Sequence, residues 1–238
     1  ATERRAPRRI AFMNQKGGVG KTTTAVNLAA SLAVAEKRVL LVDFDPQGNA
    51  SSGLGIEKNP DLPTSYEMLL GLQSLDDVVR ETEIPFLQVI PADNRLAGAE
   101  IELVDQPSRE YRLSQALEGR VDRWDFILLD TPPSLGLLTV NALTAARSVL
   151  IPIQCEYYAL EGLSQLLSTI QLVQRRLNRD LQIEGVLLTM FDKRLRLSNQ
   201  VAEEAVRFAR GEAPRYPVNT PVAGERRTAS SLAGGAES

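Results

Sequence analysis

The 238-residue chain contains no histidine. Imidazole general bases, Ser-His-Asp relays and histidine-ligated metals are therefore excluded at once. Its single cysteine, Cys155, cannot close an intrachain disulfide, and it cannot supply the two thiolates per chain that a cluster shared between subunits needs. One lone thiol suits a reducing compartment. Apolar runs are short, and none approaches the roughly 20 residues of a membrane-spanning helix. The stretch Arg4-Arg5-Ala6-Pro7-Arg8-Arg9 lacks the apolar core of a secretory leader, so a cytoplasmic location is expected. With 43% hydrophobic and 24% charged residues, the chain can bury one large core, and a single α/β domain is the economical reading.

The most informative stretch that is present is Lys16-Gly17-Gly18-Val19-Gly20-Lys21-Thr22-Thr23. An apolar run, Ile10 to Met13, precedes it and a helix-like run, Ala25 to Leu32, follows it. In this strand–loop–helix context a Gly-rich loop cradles nucleotide phosphates with inward-pointing N–H groups, aided by the partial positive charge of the helix N-terminus. Lys21 is expected to reach the β- and γ-phosphates, and the Thr22 hydroxyl to sit on Mg²⁺. Gln15 occupies the position of the first glycine of the strict G-x-x-x-x-G-K-[ST] pattern. The extra Lys16 just inside the loop marks the deviant Walker A variant.

Two further runs end in acids. Val39 to Val42 leads into Asp43-Phe44-Asp45, and Phe126 to Leu129 leads into Asp130-Thr131-Pro132-Pro133. An acid closing a buried strand is the Walker B arrangement, in which it helps hold Mg²⁺, here Asp130 acting through water. Ligands of open α/β sheets collect at strand carboxyl ends, so Asp43, Asp45 and Asp130 are all candidates to face the phosphates. P-loop GTPases read guanine with Asn/Thr-Lys-x-Asp. None of Lys16, Lys21, Lys37, Lys58 or Lys193 is followed two residues later by Asp, which favours ATP.

Hydrophobic patterning alternates β and α, which predicts a mostly parallel sheet flanked by helices. Strands are expected near 9–14, 38–44, 86–90, 125–130, 148–153 and 184–190. Helices are expected near 21–34, 65–70, 95–104, 108–119, 137–146, 160–177 and 198–210. In the helix near 160–177, Leu160, Leu163, Leu166, Leu167, Ile170 and Val173 form a helix-period stripe. Gly48 to Asp61 reads as a loop. The organisation expected is a basic arm over 1–8, an ATPase domain over 9–210 and a flexible segment over 211–238, which is rich in Pro, Arg, Ala, Gly and Ser.

The phosphate loop, the stretch Asp43-Phe44-Asp45-Pro46-Gln47-Gly48-Asn49, the segment Asp130-Thr131-Pro132-Pro133-Ser134 and the run Gln154 to Gly162 together resemble the ParA/Soj-type partitioning ATPases of the MinD/ParA family. The resemblance runs from about Arg9 to about Ala209. It implies slow, partner-stimulated ATP hydrolysis, with Asp45 orienting or activating the attacking water. It also implies that Lys16 reaches a nucleotide across a two-fold interface, so that ATP is sandwiched in a homodimer. Gly17 and Gly18 suit that close approach. Loops 43–52 and 130–140 become the switch regions. In the family, adenine lies against the stretch matching Thr189-Met190-Phe191-Asp192, of which Met190 is the residue carried over, and against a pair matching Pro217 and Asn219. From Gly211 onward the chain departs from the family pattern: its Glu-Ala-Pro-Ser loop and terminal helix are not found, and Val218 replaces an arginine.

The charge is uneven. Residues 175–227 hold 11 Lys/Arg against 7 Asp/Glu, while the rest hold 16 against 23. Lys193, Arg194, Arg196, Arg207 and Arg210 cluster late in the chain. A solvated face is the plain reading of such a run. The resemblance instead implies non-specific double-stranded DNA binding through Lys193, Arg194 and Arg196, hence nucleoid association, together with a ParB/Spo0J-like partner protein and no membrane. The alternatives are a MinD-like membrane-associated ATPase, which ends in an amphipathic helix, and a related ATPase that positions another cargo.

Overall fold

The computed structural model describes residues 6–119, 121–155 and 159–209. Six strands pair in parallel: β1 (Arg8–Phe12), β2 (Val39–Asp43), β4 (Leu87–Ile90), β5 (Phe126–Asp130), β6 (Ser148–Gln154) and β7 (Gln182–Thr189). The two-residue β3 (Arg80–Glu81) adds an antiparallel edge, and the order across the sheet is β3-β4-β2-β5-β1-β6-β7. All five residues of β2 are buried, as a parallel strand covered on both faces requires.

Period-two alternation divides the core into two layers. Ile10, Phe12, Val39, Leu41, Val89 and Leu128 point to one face. There α1 (Lys21–Val34) lays down Ala25, Ala29 and Ala33, small residues at helical spacing that let the helix sit close to the sheet. Ala11, Met13, Leu40, Val42, Ile127, Leu129 and Val149 point to the other face. This larger layer is covered by α3 (Ser65–Leu70), α5 (Leu96–Glu102), α6 (Arg112–Ala116), α7 (Leu137–Ala145) and α8 (Ala159–Arg176). The expected stripe on α8 buries Leu163, Leu166, Ile170 and Val173. Helix α9 (Arg196–Ala209) follows β7.

The structure departs from the sequence expectation in four places. The stretch expected to be loop after Gly48 contains α2 (Asn49–Gly53), and the short α4 (Leu75–Val78) and strand β3 carry no pattern that predicts them. The helix expected near 108–119 is a 3₁₀ turn at Arg109–Tyr111 leading into α6. Arg8, assigned to the arm, opens β1 opposite Phe126. The segment 211–238, with Pro217 and Asn219, lies outside the described residues. Among the described residues no helix is long and apolar enough to cross a membrane.

Candidate functional site

The phosphate loop leaves the carboxyl end of β1, and hydrogen bonds to three other parts of the chain fix its course. The Asn14 carboxamide donates to the Pro152 carbonyl at 2.7 Å and accepts the Lys16 N–H at 2.9 Å. Gln15 Nε2 donates to Gln165 Oε1 on α8 at 2.9 Å. Thr189 Oγ1, closing β7, donates to the Val19 carbonyl at 2.9 Å. Gly18 and Gly20 take the left-handed backbone, with φ of +74° and +88°, which only glycine adopts without strain. Gly20 caps α1, whose first turn carries no acidic residue, so its free N–H groups favour an anion. Lys16, Gly17, Gly18 and Thr23 are exposed, whereas Val19 is buried and anchors the loop.

Lys21 is 6% exposed, and its Nζ donates to the Lys16 carbonyl at 3.1 Å. Burial lowers its pKa, and Asp130 and Asp45 pull it back up. A buried ammonium held between a loop carbonyl and two acids is poised for phosphate oxygens.

Strand register brings the acids together. Phe12, Asp43 and Asp130 pair across β1, β2 and β5, so both carboxylates stand in one row at the sheet's carboxyl end. Burial raises Asp43 to about 6 despite three hydrogen bonds. Its Oδ2 accepts from Ser51 Oγ at 2.6 Å and Ser51 N–H at 2.8 Å, and its Oδ1 accepts the Asp45 N–H at 3.3 Å. Asp43 thus tethers α2 and the Asp45 turn, a structural use that the sequence reading did not separate from phosphate binding. Asp130 is different: both carboxylate oxygens are buried without a hydrogen bond of good geometry. Burial raises it to about 7, and the nearby Thr22 hydroxyl and Lys21 ammonium offset only part of that cost. A buried, partnerless carboxylate beside a hydroxyl and a phosphate loop fits a cation. The described residues contain no cluster of three metal-ligating side chains. Mg²⁺ keeps waters and phosphate oxygens as ligands and takes one or two protein groups, and the Asp130 carboxylate with the Thr22 hydroxyl beside it matches that need.

Asp45 is 6% exposed, and its Oδ1 accepts the Gln47 N–H at 3.0 Å. Gly48 closes that turn at φ +65°, where a Cβ would stand 2.6 Å from the Ala92 carbonyl oxygen. Sequence reasoning named Lys21, Thr22, Asp45 and Asp130, and the structure sets them near one another at the carboxyl end of the sheet. It did not anticipate that Asn14 and Thr189 brace the phosphate loop or that Ser51 braces Asp43. An Asn immediately after a strand, where amide side chains bond the nearby backbone, is the one signal that could have flagged Asn14.

The remaining expected residues lie beyond β7. Met190 takes φ +51° and is 68% exposed next to the loop-binding Thr189. Lys193 and Arg194 are exposed on the connection into α9, and Arg196 is exposed at its first position. Arg194 is 83% exposed but not bare, because its guanidinium is clasped by Asp192 at 2.6 Å.

The AAA domain family model matches residues 7–183. The chain is 61% identical over 195 residues to the chromosome partitioning protein ParA of Myxococcus xanthus, covering 82% of this chain and 69% of that one. It is 61% identical over 201 residues to the sporulation initiation inhibitor protein Soj of Bacillus subtilis, covering 84% and 79%. The chain belongs to the ParA/Soj family of chromosome-partitioning ATPases. Among solved structures, the cobyrinic acid a,c-diamide synthase of Mycobacterium smegmatis with bound ADP and magnesium superposes with a TM-score of 0.80 at 40% identity, covering 88% of this chain and 82% of that one. A putative plasmid partition protein of Borrelia burgdorferi bound to AMPPNP gives 0.73 at 29%, covering 83% and 79%.

Proposed function

We propose that this chain is an ATP-dependent dimerisation switch that binds DNA without sequence preference and hydrolyses ATP slowly in partnership with a ParB-type protein. The observation that carries the nucleotide part is the buried, partnerless carboxylate of Asp130 beside Lys21 and Thr22. The N–H groups of Gly18 to Thr22 bind the phosphates, and Lys21 neutralises charge that develops on the β- and γ-oxygens. Thr22 and Asp130 would hold Mg²⁺, which when bound supplies charge neutralisation across the same oxygens. Asp45, fixed in its turn by the Gln47 N–H, orients the attacking water and accepts its proton.

Lys16 and Gly17 are exposed on the outer lip of the loop, where a second copy can approach. A Cβ on Gly17 meets nothing within 4 Å, so a side chain there is accommodated within one subunit and is felt only by a partner. The DNA surface is the basic connection carrying Lys193, Arg194 and Arg196. The two relatives at 61% identity support a partitioning role over the synthase activity named for a neighbour at 40%.

Turnover with ATP and GTP, nucleotide binding and light scattering test this reading. Lys21→Ala should lose ATP binding. Asp45→Ala should keep binding and lose turnover by about 100-fold or more. In the Asp45→Ala background ATP should give dimers, and adding Gly17→Val should leave ATP-bound monomers. Normal hydrolysis by Asp45→Ala would remove the role given to that carboxylate, and dimers with Gly17→Val would move the interface elsewhere.

A further inference from the structure

The loop that follows Asp130 is pinned at both ends. At its start, the Thr131 hydroxyl donates to the Phe12 carbonyl at 2.6 Å. At its end, α7 opens on Gly136, a cap residue with no side chain to satisfy the exposed helix N–H groups. The missing acceptor comes from another helix. Glu100 of α5 extends its Oε1 to the Leu138 N–H at 3.2 Å, placing a carboxylate at a helix N-terminus, where the backbone dipoles favour it. The fit is close, because a Cβ built on Gly136 would overlap the Glu100 carboxylate. Gly136 has ordinary extended backbone, with φ −75°, so space for Glu100 is what glycine provides there, not conformational freedom. Helix α5 is itself moored to α3, since Tyr66 Oη donates to Glu102 Oε1 at 2.9 Å.

We propose that Glu100 is a positioning residue: its carboxylate latches the Asp130–Gly136 loop in the geometry that hydrolysis requires, and Gly136 is glycine to admit it. The inference rests on the ATPase reading of the site. Glu100 lies on α5, outside the phosphate loop and the acid row, and acts through the backbone of the first turn of α7, where the loop ends. Loss of the latch should therefore affect the reaction step more than nucleotide binding.

The test combines kinetics with amide exchange on the full chain. Glu100→Ala should lower kcat about tenfold or more, as small misplacements of a reacting loop do, while the ATP dissociation constant stays within about threefold. Glu100→Gln keeps an acceptor oxygen at the same reach and should retain near-normal kcat. Gly136→Ala should match Glu100→Ala, because the carboxylate swings aside to accommodate the new methyl. The double variant should be no worse than either single one, the non-additivity expected of groups that act as a unit. Exchange at the Leu138 amide reads the latch without any turnover: it should be protected in the parent chain and in Glu100→Gln, and fast in Glu100→Ala and Gly136→Ala. Equal kcat losses in the Gln and Ala variants, additive losses in the double variant, or unchanged Leu138 exchange would each overturn the latch. A parent chain that binds ATP without hydrolysing it would strike the ATPase reading, and the exchange pattern would then decide the latch by itself.

Discussion

Asp43 and Asp130 stand side by side in the sheet and meet the cost of burial in different ways. Ser51 hydrogen-bonds one of them, while the other keeps both oxygens unpartnered. Both pKa values rise from 3.8, to about 6 and about 7. Between about pH 4 and 7 the folded chain therefore binds these protons more tightly than the unfolded chain does. It follows that the metal-free protein is more stable near pH 5 and loses stability as pH rises toward 8. Asp130→Asn should remove much of that slope. At pH 8 without metal or nucleotide it should stabilise the fold by about 1–3 kcal/mol, less than the full desolvation cost because Lys21 loses a counter-charge. Below about pH 4, where the carboxyl is neutral in the folded and unfolded chains alike, the difference should vanish. Thermal melts across this range check it, and a variant no more stable than its parent at pH 8 would mean that the Asp130 charge is already compensated. The same variant should lose Mg²⁺-dependent turnover, so stability and activity move in opposite directions at one atom pair.

Helix α2 shows how local sequence and tertiary context divide the information. Asn49-Ala50-Ser51-Ser52-Gly53 has neither helical periodicity nor helix-favouring composition, and Gly48 before it signals a turn. Its helical form draws on Asp43, eight residues back, which takes both the Ser51 N–H and hydroxyl, and on Ser51 Oγ accepting the Ala92 N–H at 3.1 Å. The Ala92 partner lies 41 residues away, outside any local window, and periodicity does not register the Asp43 contact. The central strands were legible because alternating burial on two covered faces leaves nearly unbroken apolar runs. Helix α8 was legible because it has one apolar stripe. Lys21, Thr22 and Asp130 were legible because loop and strand-end chemistry is local. Asp45 was legible as a strand-end acid and took its proposed role from a family resemblance, and the second role of Asp43 became visible only in the fold. Gly48→Ala tests the weight carried by α2: left-handed φ and a Cβ 2.6 Å from the Ala92 carbonyl oxygen should together cost about 2–4 kcal/mol. Gly17→Ala, in open space, should stay within about 0.5 kcal/mol. Denaturant midpoints compare the two, and equal effects would show that the turn adapts.

For the molecule as a whole, the proposed DNA surface carries its own brake. The Arg194 guanidinium is engaged by Asp192 through Nη2 at 2.6 Å and Nε at 2.9 and 3.1 Å. The sequence shows the basic cluster but not this pairing. An exposed pair of this kind is weak because solvent and salt screen it, so phosphate can compete for the arginine, but the adjacent carboxylate repels that same phosphate. Asp192→Ala should strengthen duplex binding several-fold in low salt with ATP. It should also steepen the log–log salt dependence by up to about two in a dimer, one counterion per subunit. Arg194→Glu should do the reverse on every sequence alike. Gel-shift titrations at several salt concentrations measure both, and an unchanged slope in both variants would take Arg194 off the surface.

The hydroxyl of Thr189 ties β7 to the phosphate loop at Val19, and five residues further along stands Arg194. Five residues span at most about 18 Å of extended chain, and residues 190–195 form no helix or strand. The edge strand thus carries both surfaces: one hydrogen bond joins it to the phosphate loop, and one short connection separates it from the arginine.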